Sequence, residues 1–199
     1  MYRAITLFAL QNGNILPDGK IVEAELVRSL DLILVNFKYN SDNGKNEVYL
    51  NGQNVEKEIR SIQVSNYVSE ISNIPEVRKK LVKVQKRMAE AKGVVMDGRD
   101  IGTVVIPDAE LKFFLVADAK VRAQRRFDEL MANGVDTTFD EVLSNLNHRD
   151  DYDSRRSNDP LRKASDAIIV DNTHLTLEEQ YQFVMQHITN KIGIGQKVS

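Results

Sequence analysis

The chain has 199 residues, with 27 Lys+Arg against 29 Asp+Glu, three His and no Cys, for a formal net charge of −2. At about 100–200 residues per domain, this length predicts one domain with room for a small insertion. The lack of cysteine excludes a disulfide scaffold, a thiolate metal site and a cysteine nucleophile. Hydrophobic and charged fractions of 42 % and 28 % exclude wholesale disorder. No apolar run approaches the ~18 residues that span a bilayer, and the opening Met1-Tyr2-Arg3-Ala4 does not read as a signal peptide. The expectation is a cytoplasmic chain that binds neither membrane nor, given its mild acidity, nucleic acid.

Residues 1–11 place Ile5, Phe8 and Ala9 at helical spacing with no capping residue before them, so the chain opens inside a helix. Asn12-Gly13-Asn14 ends it, Pro17-Asp18-Gly19 is a turn, and a second helix is predicted over 22–30. Residues 32–37 read as a strand, Ser41-Asp42-Asn43-Gly44 as a hairpin turn and 47–50 as the return strand, with a tight turn at Asn51-Gly52. This unit, about 31–60, reads as a small β insertion. Helices follow at 61–71 and 75–92, the second exposing Glu76, Lys79, Lys80, Lys83, Lys86 and Arg87. The apolar runs 93–96, 111–116 and 167–171 lack alternation and are separated by helical pattern. They predict parallel strands buried between helices, an α/β fold. A last helix is predicted over 177–192, with 193–199 as a frayed tail.

Ligands of open parallel sheets bind at the carboxyl ends of the strands. There stands Asp97-Gly98-Arg99-Asp100-Ile101-Gly102-Thr103, with Arg99 and Asp100 bracketed by glycines. Such a loop is either a tight turn with a solvated ion pair or a site where Arg99 binds an anion and Asp100 accepts from a ligand amino group. A second cluster runs from His148 to Arg156, where a helix would stack Arg149, Asp153 and Arg156 on one face. A third is Arg122, Arg125 and Arg126; the like-charged pair Arg122/Arg126 calls for an anion between its members. Eight of the 13 arginines fall between 99 and 162. Guanidinium groups fork onto phosphate, so this concentration on an acidic chain points to a small phosphorylated ligand rather than a polymer. The histidines lack metal-ligand spacing. Neither Gly13-…-Gly19-Lys20 nor the Gly193–Lys197 tail fits the Gly-x-x-x-x-Gly-Lys-[Ser/Thr] phosphate loop.

The segment Val95-Met96-Asp97-Gly98-Arg99-Asp100-Ile101-Gly102-Thr103-Val104-Val105 with Pro107-Asp108-Ala109 strongly resembles bacterial cytidylate kinase. So do Val55-Glu56-Lys57-Glu58-Ile59-Arg60, Arg149-Asp150-Asp151 with Asp153 and Arg156, and Met1-Tyr2-Arg3-Ala4. The match runs in order over essentially the whole chain. The resemblance implies a P-loop nucleoside monophosphate kinase fold, with a five-stranded parallel sheet, a monophosphate-binding insertion and a lid near 122–156. It implies transfer of the ATP γ-phosphoryl to CMP or dCMP with Mg²⁺, by a monomer.

Carried over by position, Arg3, Arg99 and Arg156 would hold the CMP phosphate, and Ser69, Arg78 and Asp100 would read cytosine. Arg149 and Asp153 would hold the sugar, Arg122 and Arg126 would reach ATP, and Asp97 would face the Mg²⁺ shell. Arg99, Arg126 and Arg156 are the expected catalytic groups. The family pattern also begins with a strand, the phosphate loop and a helix that residues 1–199 do not contain. The resemblance therefore implies an N-terminally truncated chain without the central strand between 94–96 and 112–116. Poor ATP binding, doubtful activity and a sheet edge able to self-associate would follow.

Overall fold

The computed structural model describes residues 1–156 and 158–193, apart from the side chain of Ile192; beyond Gly193, the expected tail lies outside the described residues. The chain divides into two compact units, Met1–Val95 with Arg156–Asn158, and Met96–Arg155 with Asp159–Ser199. No helix among the described residues is long and apolar enough to cross a membrane.

In the first unit, α1 (Tyr2–Gln11) turns Ile5 and Ala9 into the core, as their spacing predicts, with Ala4 and Leu7 buried beside them and Phe8 only partly buried. Helix α2 (Glu23–Ser29) contributes Leu26. Helix α3 (Ile62–Asn73) starts where the Ser61 hydroxyl accepts from Val64 N at 3.3 Å, satisfying one of the N–H groups that a helix start leaves free. Helix α4 (Pro75–Glu90) carries Pro75 in its first turn, where the missing N–H costs nothing. Ile5, Leu26, Ile33, Val64, Ile71, Val77 and Leu81 are almost wholly inaccessible. Each such side chain contributes about 1.5–3 kcal/mol by leaving water.

The expected insertion forms an antiparallel sheet of β1 (Val35–Asn40), β2 (Lys45–Leu50) and the two-residue β3 (Gln53–Asn54). Its first strand starts three residues later than the apolar run predicts. Leu30–Leu32 continue α2 as a 3₁₀ turn, and Asn51 Oδ1 accepts from Leu34 N just before the ladder begins. Pairing then carries the strand through the polar Lys38 and Asn40, which alternation alone does not favour. Asn51 and Gly52 sit at φ 48° and 86°, the left-handed pair that a two-residue hairpin requires, and Leu50 pairs with Gln53 across them.

In the second unit, β4 (Phe113–Val116) and β5 (Ile168–Asp171) pair in parallel, Phe113 opposite Ile168 through Val116 opposite Asp171. Helix α5 (Ala119–Ala132) is capped by Asp118, whose carboxylate accepts from Lys120 N and Val121 N. Helix α6 (Phe139–Arg155) packs against α5 through Ala123, Leu130 and Val142, with Phe127 and Phe139 edge to face at 6.4 Å. Helix α7 (Leu177–Ile192) opens on a reciprocal Thr176/Glu179 capping box.

Three expectations are corrected. Residues 93–96 form no strand: Lys92 and Gly93 leave α4 in the left-handed region, and Val95 is 99 % exposed, without a ladder partner or apolar cover. The parallel sheet accordingly has two strands among the described residues, not five. The two that form are not buried on both faces, since Leu115 and Ile169, on opposite faces of the pleat, are exposed.

Candidate functional site

The second unit builds its polar site on one loop and two helices. From Gly98 the chain enters a wide π turn over Ile101–Val105. Asp100 O accepts from the amides of Thr103, Val104 and Val105 at 3.3, 2.9 and 3.4 Å, and Ile106 N donates to Ile101 O at 2.7 Å. A side chain at Gly98 would place its Cβ 2.9 Å from Ile101 Cγ1, so glycine lets the loop close on itself there. The turn leaves the Arg99 side chain part-exposed and buries Asp100, 5 % exposed.

Arg99 reaches α6, its Nε lying 3.0 Å from Asp153 and its Nη2 3.7 Å from Asp150. Arg122, on α5, donates to the other Asp150 oxygen at 2.6 Å. Asp150 therefore bridges an arginine of the loop and an arginine of α5. Burial, and then the neighbouring Arg99 charge, push the Arg149 guanidinium below its ordinary value; Asp153 and Asp150 oppose this, and Arg126 adds to it. Arg149 Nε is buried with no hydrogen-bond partner. A buried donor without an acceptor costs about 1–3 kcal/mol, so this cluster is chemically suited to an anion or a ring of ligand oxygens. Arginines 99, 122, 126 and 149 outnumber the carboxylates paired with this group, Asp150, Asp153 and Glu129, by one, a balance compatible with a phosphorylated ligand.

Two of the expected arrangements differ. Helix α6 ends at Arg155, so Arg149 and Asp153 share its face, but Arg156 has left the helix and groups with the first unit. Leu161 N closes on Asp153 O at 2.8 Å where the helix would otherwise run on. The anions beside Arg122 and Arg126 are carboxylates of the chain itself. Arg122 pairs with Asp150 and Arg126 with Glu129 at 2.7 Å, one turn away on α5, so carboxylates of the chain itself relieve the repulsion. Arg125 bonds to Asn172 O at 2.7 Å and ties α5 to the end of β5.

The first unit gathers the other expected residues along α1, α3 and α4. Arg3 Nη1 donates to Ile59 O at 2.9 Å and to Ser65 Oγ at 3.0 Å. Ser65, Ser69 and Ser72 follow at i, i+4 and i+7 on α3, all buried. Ser72 Oγ donates to Ser69 O, and Arg78 Nη1 to Ser72 O at 3.2 Å. The Arg78 guanidinium, on a residue 3 % exposed, lies over the Tyr2 ring at 5.8 Å. The Arg3 and Arg78 guanidinium groups are thus held by backbone and hydroxyl oxygens of the same unit. Arg156 is buried, and Asp97 is exposed at the start of the loop. No group of three His, Asp or Glu that could hold a metal forms among the described residues.

Sequence reasoning left out Asp150 as the hub of the arginine cluster, and Ser65 and Ser72 beside Arg3 and Arg78. The serine spacing was visible. Nothing in the pattern ties Asp150 to Arg99, 51 positions earlier in the chain.

With this geometry in hand, comparison with known proteins is specific. A family model described as cytidylate kinase matches residues 1–191. A protein of Flavobacterium psychrophilum named cytidylate kinase is 52 % identical over 190 residues, 96 % of this chain and 84 % of the relative. Cytidylate kinases so named from Parabacteroides distasonis and Flavobacterium johnsoniae are 49 % and 50 % identical over 97 % and 98 % of the chain, again covering 84 % of each relative.

Proposed function

The chain belongs to the cytidylate kinase family, and from that premise we propose that it transfers the γ-phosphoryl of ATP to CMP or dCMP in the cytoplasm, as a monomer. The observation that carries this reading is the arginine cluster around Asp150 and Asp153, with its surplus of guanidinium and its unpartnered Arg149 Nε.

Arg3, Arg99 and Arg156 take the CMP phosphate, and Arg149 with Asp153 takes the sugar. Cytosine presents an N4 amino donor beside acceptors at N3 and O2. Asp100 accepts from N4, while Arg78 and Ser69 donate to N3 and O2. Uracil would set its O4 acceptor against the Asp100 carboxylate, a repulsion that favours C over U. The hairpin region 31–60 borders the monophosphate side, and 122–156 acts as the lid that brings Arg122 and Arg126 to ATP. Arg99, Arg126 and Arg156 stabilise the charge spread over the transferring phosphoryl group. Phosphoryl transfer has a loose transition state, for which positioning and charge stabilisation suffice without an obligatory base.

Mg²⁺ accompanies ATP in this reading. The exposed Asp97 fits a carboxylate that faces the water shell of a cation whose own ligands are nucleotide phosphates and water, the usual manner of binding for this ion. The metal would neutralise phosphate charge.

A second reading, CMP binding without transfer, is favoured by one feature: residues 1–199 contain no Gly-x-x-x-x-Gly-Lys-[Ser/Thr] loop to cradle the ATP phosphates. Assaying the purified 199-residue chain for CDP formation with Mg–ATP, beside a CMP titration, separates the two. Turnover supports the first reading, saturable binding without turnover the second, and neither binding nor turnover refutes both.

A further inference from the structure

Outside the arginine cluster, the second unit contains a lysine whose side chain is mostly covered although its ammonium bonds lie at the surface. The Lys112 side chain, at the entry to β4, is only 8 % exposed, whereas its partner Asp166 is 59 % exposed. Its ammonium donates to Pro107 O at 2.5 Å and to both Asp166 oxygens at 2.8 and 3.0 Å. The Lys112 backbone is also fixed, its carbonyl accepting from Ile168 N at 2.9 Å next to the β4–β5 ladder. The alkyl stem runs beneath the π turn: a Cβ at Gly102 would sit 3.2 Å from Lys112 Cδ and 3.9 Å from Ala164 Cβ.

A lysine stem covered by apolar neighbours leaves its ammonium to find acceptors at the edge of that cover. Space-filling beneath Gly102 would need only a methionine or leucine. The charge is explained by its acceptors, which lie at the C-terminal end of the loop and on the turn before β5. The N-terminal end of the same loop carries Arg99 and Asp100. Between these ends the turn is closed by amides donating to Asp100 O, so both ends of one short rigid segment are fixed. We propose that Lys112, braced by Asp166 and admitted by Gly102, is a positioning residue that staples the Gly98–Pro107 turn and so sets the placement of Arg99 and Asp100 for the nucleotide. Asp166 is consistent with the bracing role: its carboxyl is held below the usual value first by the Lys112 hydrogen bond.

The proposal rests on the CMP reading above, and its test separates the two. Lys112→Met keeps the stem and removes the charge. Asp166→Asn changes an exposed side chain and guards against simple misfolding. Lys112→Arg retains a cation. Backbone hydrogen exchange is followed at residues 103–106 and in α7, without nucleotide, and CMP affinity is measured by titration on the same proteins. In Lys112→Met, protection at 103–106 should fall while α7 keeps its own, and the CMP dissociation constant should rise by about tenfold, the scale of weakening one hydrogen bond to a charged group. Asp166→Asn should show the same pattern more weakly, and Lys112→Arg should recover most of the affinity. Unchanged protection at 103–106 overturns the staple whatever CMP does. So does a uniform loss of protection with unchanged CMP affinity, the signature of a merely structural lysine. Failure of the unmodified chain to bind CMP, with the staple's exchange pattern intact, refutes the CMP reading instead.

Discussion

The two compact units are held by different forces. The first buries a continuous apolar core, from Ile5 through Leu26 and Ile71 to Leu81, and its polar site is a set of buried hydroxyls with two anchored arginines. Among the described residues, the second has a small buried apolar cluster of Ala123, Leu130 and Val142, with Val105 and Val170 buried apart from it. Its loop and helices are joined instead by Arg99, Arg122, Asp150 and Asp153. The contrast is between a unit ordered mainly by apolar burial and one whose loop and helices are ordered by ion pairs. Hydrophobic burial is insensitive to a ligand's charge, whereas an excess of guanidinium over carboxylate becomes fully satisfied only when an anion arrives.

The sharpest way to break this contrast is at the loop. Arg99→Ala should leave the fold intact and lower kcat/KM for CMP by about 10²–10³-fold, the scale of losing one donor to a transferring or bound anion. Steady-state kinetics with CMP as the varied substrate check it, and an unchanged kcat/KM removes Arg99 from the site. Next in size is Ile71→Ala in the first unit, which should cost about 3 kcal/mol of stability through lost burial and the cavity left behind, measured by urea unfolding. If Leu130→Ala in the second unit costs as much or more, the claim that apolar packing is concentrated in the first unit fails.

Smaller is the loss of the α7 cap: Thr176→Ala should destabilise by about 1 kcal/mol, seen as a lower unfolding midpoint. Raising NaCl from low to about 0.5 M should loosen the second unit more than the first, by a few tenths of a kcal/mol per part-exposed pair. Hydrogen exchange resolved by unit reads it. Smallest at neutral pH is the effect of acid. Glu179, through the Thr176 amide and hydroxyl, and Glu141, through those of Thr138, have carboxyls held below their usual values. A depressed folded-state value means stability that is present above the unfolded value of about 4.3 and lost as pH falls through the folded one. The unfolding midpoint should therefore be flat from pH 6 to 8 and drop below about pH 4.

Part of the helical framework was legible in the sequence because several helices have a local start signal. Residue Ser61 caps α3, Pro75 opens α4 and Thr176 with Glu179 starts α7, and each signal lies within four positions of its effect. The hairpin was legible from Ser41-Asp42-Asn43-Gly44 for the same reason, while the two-residue β3 after the Asn51-Gly52 turn was not. The strand expected at 93–96 failed because apolarity says only that a run prefers burial, whereas a strand needs a ladder partner elsewhere in the chain. In the candidate site, the loop Gly98–Thr103 announced itself by composition. The Arg99–Asp150–Arg122 connection and the Lys112 staple did not, since they join residues tens of positions apart and emerge only from packing.

The most direct test of the central claim is calorimetric titration of the 199-residue chain with CMP and, in parallel, with UMP. Saturable one-to-one binding of CMP, with UMP at least about tenfold weaker as a misplaced acceptor at Asp100 requires, is the predicted result. Equal affinity for the two nucleotides, or no saturable binding of CMP, would contradict it.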